Sequence, residues 1–251
     1  MAEPKDSFTA AACAADAVPP LWERLESAPR SGRATLTHTR IAEAAVALAD
    51  AEGLEALSMR RLAIELGVAT MALYRYVVSK DELLELMIDA VVEPDALTAD
   101  PADWRAVFRE IGLRRRRTAL AHPWLIAAQA QVPSLLTPAR NEVAERMIGA
   151  LEPLPLTGDQ KMQFIRVVDA FTNGAAGAEV NRRMMMRRRG HGADGDVRLL
   201  LRESMRWLLR SGRYPRMAKL VQEGLAPVDS AAEFELGLAA VLDGLAARFG
   251  V

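Results

Sequence analysis

Two cations, Arg60 and Lys80, bracket a short run of Thr70, Met71, Ala72, Tyr74 and Tyr76 whose side chains suit contact with nucleic acid. An arginine fork donates paired hydrogen bonds that match O6 and N7 of guanine, while a lysine offers a point charge to phosphate. The tyrosines supply rings and hydroxyls, and Ala72 offers only a methyl, which can meet the methyl of thymine. This is the chemistry of recognition, not of bond making. The formal net charge is −1, so the chain is no uniformly basic coat and any positive surface must be local. Between Arg30 and Lys80 seven Lys/Arg stand against five Asp/Glu, an excess of two whose value lies in where the charges fall.

Other reactive side chains form no constellation. His38, His122 and His191 are far apart, and none makes an H-x-x-x-H pair or sits beside a carboxylate at helical ligand spacing. Cys13 is the only cysteine, which excludes an intrachain disulfide and a thiolate cluster. No Gly-rich phosphate loop follows a strand and no G-x-S-x-G occurs, so no enzyme chemistry, cofactor or metal site is expected. The run Arg114 to Arg117 is the strongest charge block. Four consecutive helical residues fan over roughly 300° and cannot make one nucleic-acid face, though one must point inward or toward a neighbouring helix, where it could serve a ligand cavity. The basic tract Arg182 to Arg189, with Met184, Met185 and Met186, reads as a fraying helix end.

The elements that position these groups read as helices, because no segment alternates with period two and the prolines fall between periodic segments. Residues 1–35, rich in Ala, Pro and Ser, read as a flexible arm. Thr37 caps a first helix carrying Ile41, Ala44, Ala45 and Leu48 on one face, ending at Gly53. A second starts at Ser58 with Leu62, Ala63 and Leu66. Gly67 and Val68 make a tight connection to a short third helix from Thr70 to Tyr76, with Leu73 turned to the core. Ser79 with Glu82 forms a capping box opening a fourth, which Pro94 stops. Past a hinge near residues 93–100, helices are expected from Asp100 to Ala121, Pro123 to Gln131, Thr137 to Leu151, Thr157 to Met186, Val197 to Ser211 and Pro215 to Gln222. A last one is capped by Ser230 with Glu233. The chain lacks both an apolar run of about eighteen residues and a signal-peptide pattern, so no membrane partner is expected and the location reads as cytoplasmic.

The segment from Leu36 to Val91, with "AEGLEALSMRRLA", "LGV", "ALYRYV" and "SKDELL" in order, resembles the DNA-binding domain of the TetR family. "AHPWL" at 121–125 and "FELGLAAVLDGLAARF" near the end resemble the C-terminal domain of its tetracycline-repressor branch. The resemblance implies an all-α protein with a helix-turn-helix domain over 36–93 and a larger effector-binding and dimerisation domain over 100–251. It further implies a homodimer on a palindromic double-stranded DNA operator, released by a small, largely apolar effector. It assigns DNA contacts to Arg60, Thr70, Met71, Ala72, Tyr74, Tyr76 and Lys80. Helix positions suggest Trp104, Phe108, Ile111, Arg115, Trp124, Met147, Phe164 and Asn173 for the effector pocket. The metal of tetracycline-binding relatives does not carry over, because its ligand positions find no match. The dimer is expected through the helices from Thr157 and Ser230, using Phe234, Leu238, Val241, Leu242 and Leu245 together with Gly174, Ala175, Gly177 and Ala178. The alternatives are an effector-independent DNA-binding regulator or architectural protein, favoured by a sealed C-terminal core, and a helical enzyme, which would need convergent titratable groups.

Overall fold

The computed structural model describes residues 21–27, 36–94, 97–132, 136–190, 192, 198–224 and 228–251. Residues 1–20 and 28–35 of the expected arm, and residues 191 and 193–197, which include His191 and the expected helix start at Val197, lie outside them. Among the described residues the regular structure is helical throughout: α1 (Leu21–Ser27), α2 (His38–Glu52), α3 (Met59–Leu66), α4 (Thr70–Leu73), α5 (Lys80–Ala90), α6 (Trp104–Ala121), α7 (Trp124–Gln129), α8 (Pro138–Leu151), α9 (Gly158–Arg188), α10 (Arg198–Ser211), α11 (Pro215–Glu223) and α12 (Ser230–Phe249). None of these is long and apolar enough to cross a membrane.

Part of the arm folds, which corrects the expectation of flexibility through residue 35. In α1, Leu21 is buried against Ala42, Val77 and Leu86, and Arg24 pairs with Glu82 at 2.7 Å. One buried leucine and one ion pair dock seven residues whose surrounding composition conceals them.

Local caps set the first domain. Thr37 and Ser58 accept the backbone N–H groups of Arg40 and Arg61, opening α2 and α3. Gly67 adopts the left-handed conformation (φ 68°), and Val68 N–H returns to the Ala63 carbonyl at 3.0 Å, closing α3 sharply. Ser79 accepts from Glu82 N–H at 3.1 Å, while the Glu82 carboxylate reaches Val78 N–H at 2.9 Å, one residue earlier than a capping box requires. The core of α2, α3, α4 and α5 includes Ile41, Leu48, Leu62, Leu73, Leu84 and Met87, all but closed to solvent. Helix α7 completes it with Trp124, Leu125 and Ala128, so the two domains share a core rather than meeting at a linker.

The larger domain packs α6 and α12 on α9, with α8 against α6. Two expected starts shift. Asp103, not Asp100, caps α6 by accepting from Ala106 N–H at 2.9 Å, and Pro101 sits in the preceding turn. Asp229 rather than Ser230 caps α12, accepting from Ala231 and Ala232 N–H, because a carboxylate serves two donors and complements the helix dipole. The Ser230 hydroxyl instead accepts from Arg182 at 2.9 Å. Thr157 and Gln160 form the full capping box of α9.

The apolar stripe of α12 also finds a different partner. Phe234, Leu238, Leu242 and Leu245 are buried in the chain's own core against Phe108, Phe164 and Val168, and Val241 packs against the same cluster. They therefore cannot form a surface for a second chain. Close approach within the chain explains two glycines. A Cβ at Gly237 would lie 2.6 Å from the Phe171 ring, and one at Gly112 would lie 2.7 Å from Leu238.

Candidate nucleic-acid interface and effector cavity

Helices α3 and α4 carry an outward face built by the turn at Gly67. Leu73 is fully buried and anchors α4, which leaves Met71 74% and Tyr74 41% exposed, with Thr70 and Ala72 half-buried beside them. The regular helix stops at Leu73, three residues short of the expected Tyr76. A turn follows in which Val77 is buried and Tyr76 packs edge-on against His38 at 5.2 Å. His38 Nε2 lies 3.1 Å from the Tyr76 carbonyl, so of the two tyrosines Tyr74 stands free and Tyr76 is half-held by the core.

Arg60 is exposed in the first turn of α3 and makes no hydrogen bond or ion pair to any described residue. Its neighbour Arg61 points elsewhere, fixed by Glu52 at 2.8 Å and Glu65 at 3.2 Å. Those contacts, the Glu52 hydrogen bond first, raise its pKa. Lys80 opens α5, exposed and likewise without a partner among the described residues. A cation at a helix N-terminus opposes the dipole, an arrangement that an incoming phosphate would relieve. Arg75 is a further exposed cation, in the turn after α4.

A cavity of about 340 Å³ opens between the C-terminal half of α6, the start of α8 and the middle of α9. Of the residues expected there, Ile111, Arg115 and Asn173 line it. Trp104, Phe108 and Phe164 do not. They form an edge-to-face aromatic cluster with centroids 5.0–6.4 Å apart, in which Phe108 and Phe164 are buried in the core with Met147 and Trp104 packs against it, partly buried. Trp124 belongs to the shared core of the DNA-binding domain. The lining residues not foreseen include Arg114, Thr118, His122 and, from α8, Arg140. On α6 the signal was present, since Ile111, Arg114, Arg115 and Thr118 recur at i, i+3, i+4 and i+7 on one helical face.

The arginine run fans out as helical geometry requires. Arg114 reaches Glu110, Arg115 pairs with Asp169, and Arg116 holds Glu179 through two bonds of 2.7 and 2.8 Å, with Glu179 only 5% exposed. Glu110 also ties the interdomain segment to α6. Burial opposes its charge, but the Ala99 and Thr98 backbone N–H groups, the Thr98 hydroxyl and Arg114 outweigh that and hold its pKa at about 2.

Cavity and reading head meet at a polar joint. His122, at the cavity wall, places Nδ1 at 2.9 Å from the carboxylate of Asp50 on α2, and Trp124 Nε1 donates to the same group at 2.7 Å. The wall also includes Val91, Val92 and Glu93, which follow directly on α5.

Comparison with known proteins agrees with this division. The family described as "Bacterial regulatory proteins, tetR family" matches residues 41–87, and "Tetracyclin repressor-like, C-terminal domain" matches 97–249. The chain is 38% identical over 227 residues to the HTH-type transcriptional repressor DrrR1 of Streptomyces coeruleorubidus, covering 90% of this chain and 83% of that one. An HTH-type transcriptional regulator of Saccharopolyspora erythraea is 30% identical over 92% of this chain and 93% of its own. Among solved structures, the TetR family protein ActR of Streptomyces coelicolor in complex with actinorhodin is 31% identical, with a TM-score of 0.69 over 87% of this chain and 100% of that one. The chain thus belongs to the TetR family, as a transcriptional repressor with a helix-turn-helix DNA-binding domain and a tetracycline-repressor-like C-terminal domain, and it is a regulator rather than an enzyme.

Proposed function

We propose that this repressor binds a palindromic operator in the cytoplasm as a homodimer, through Arg60, Thr70, Met71, Ala72, Tyr74, Tyr76 and Lys80, and leaves it when a small, largely apolar effector fills the cavity beside α6. The observation that carries the release step is the cavity's position. Its wall includes the residues that follow α5, and it also includes His122 and Leu125, which join the shared core and the Asp50 joint. A ligand that fits only one arrangement of that wall biases the reading heads, and a ligand indifferent to the arrangement shifts nothing. ActR, which shares the fold, was crystallised with actinorhodin, consistent with a small-molecule site in such a domain. An open cavity also favours this reading over an architectural protein with a sealed core.

The dimer surface we assign to a second face of the same two helices. On α9, Val167, Ala170, Gly174 and Ala178 are exposed at close to heptad spacing, and on α12 so are Leu236, Ala240, Gly244 and Ala247. Small residues on both helices let backbones approach, and a two-fold axis through them would make a four-helix bundle. The test is selection of bound sequences from random DNA. The expected product is an inverted repeat with half-sites about one helical turn, or a multiple, apart and two chains per repeat. Enrichment of a single asymmetric half-site by a monomer would overturn the reading.

A further inference from the structure

Among the described residues, the cavity wall carries one half-buried charge with no hydrogen-bond or ion-pair partner. Three cations near its floor and wall are accounted for: Arg114 meets Glu110, Arg115 meets Asp169, and Arg116, behind the wall, is closed off with Glu179. Arg117 and Glu93 lie at the exposed rim. Arg140 is different. It is half-buried, lines the cavity, and makes no hydrogen bond or ion pair to any described residue.

Three features disfavour a cation at that place. The side chain is withdrawn from water, which penalises an uncompensated charge. The positive charge of Arg115 lies near, with its own carboxylate, Asp169, already engaged. Arg140 also stands in the first turn of α8, where the helix dipole adds further positive potential. Burial first and Arg115 second press its pKa below the ordinary arginine value, and Asp169 offsets this only in part. Each of the three is relieved by one event, the arrival of an anion. A planar guanidinium offers paired donors to a planar oxyanion, which a lysine would not.

We infer that the effector carries an anionic oxygen group, a carboxylate or its equivalent, on an otherwise apolar frame, and that Arg140 receives it. The inference rests on reading the cavity as the effector site, and adds the charge class of the ligand. The frame follows from the rest of the wall, where Ile111, Leu125, Ile126 and Val143 present aliphatic surface. The cavity's size is at the lower end of those that enclose drug-sized molecules.

Two probes of equal shape and different charge test it on the full-length dimer: anthracene-2-carboxylate and anthracene-2-carboxamide, each titrated by fluorescence and by thermal shift. The wild type should bind the carboxylate tighter by roughly tenfold or more, the range of one charge-assisted pair. Arg140→Gln should bring the carboxylate down to the amide's affinity and leave the amide unchanged, and Arg140→Lys should keep part of the preference. Without any probe, Arg140→Gln should melt no lower than the wild type, because the cation it removes has no partner among the described residues. Equal binding of both probes by the wild type, or a carboxylate preference that survives Arg140→Gln, would overturn the inference and leave the cavity standing as the effector site. If neither probe bound or raised the melting temperature, the effector-site reading itself would fall, and the anion with it.

Discussion

Asp50 on α2 holds His122 and Trp124, and replacing it by leucine isolates what that joint contributes. It lies in the last turn of α2, where a negative charge opposes the helix dipole, so its presence is explained by what it holds rather than by the helix. Two donors lose their acceptor in Asp50→Leu. Trp124 Nε1, now 2.7 Å from the carboxylate, sits on a residue only 4% exposed and would be left buried and unsatisfied. A charged hydrogen bond of that kind contributes about 1.5–3 kcal/mol. The His122 contact is wetter, with side chains 24% and 32% exposed, and adds at most about 1 kcal/mol. The sum is a loss of about 1.5–4 kcal/mol, measured by urea denaturation at one fixed protein concentration so that any change of association does not enter the comparison. Asp50→Asn keeps an acceptor for the indole and should lose no more than about half as much. A leucine variant within about 0.5 kcal/mol of wild type, or an asparagine variant as damaged as the leucine one, would refute the assignment of the joint to these bonds.

Three further outcomes follow from the same structure. Because the pKa of Glu110 is depressed from 4.5 to about 2, its contribution is present above pH 4.5 and fades as pH falls toward 2. Glu110→Gln should therefore cost about 1–2 kcal/mol near neutrality, after screening by solvent, and flatten the acid limb of the stability–pH curve. Ala240→Glu combined with Ala178→Glu should shift sedimentation toward monomer with helical content intact, whereas Leu238→Glu should unfold the chain, since Leu238 is buried in its own core. Gly237→Ala should lower stability by about 1–3 kcal/mol in a urea melt, because its Cβ would press on Phe171.

What could be read from the sequence was local. Thr37, Ser58, Ser79 and Thr157 cap their helices within three residues, and Gly67 needs only its own conformation, so these helix starts and the turn after α3 were legible almost to the residue. The stripe on α12 shows where one-dimensional reasoning stops. Periodicity marks Phe234, Leu238 and Leu242 as one apolar face but says nothing of which chain covers it, and α6 and α9 of the same chain do. Trp124 misled for the same reason, because a Trp near a domain boundary can be buried on either side, and α7 delivers it to the smaller domain. Arg140 gave no signal at all. Its significance is that it lines the cavity without a partner among the described residues, which only the packed structure reveals.

The claim that the outward face of α3 and α4 reads DNA is tested most directly by operator binding across salt concentration, with the wild type, Arg60→Ala and Lys80→Ala each titrated on the selected operator and on its single-base variants. Arg60→Ala should cost roughly 1–3 kcal/mol per half-site and relax preference at one symmetric pair of positions. Lys80→Ala should weaken every sequence about equally and reduce the salt slope by about one per half-site. Base preferences left intact by Arg60→Ala but altered by Lys80→Ala would contradict this docking of the head on its operator.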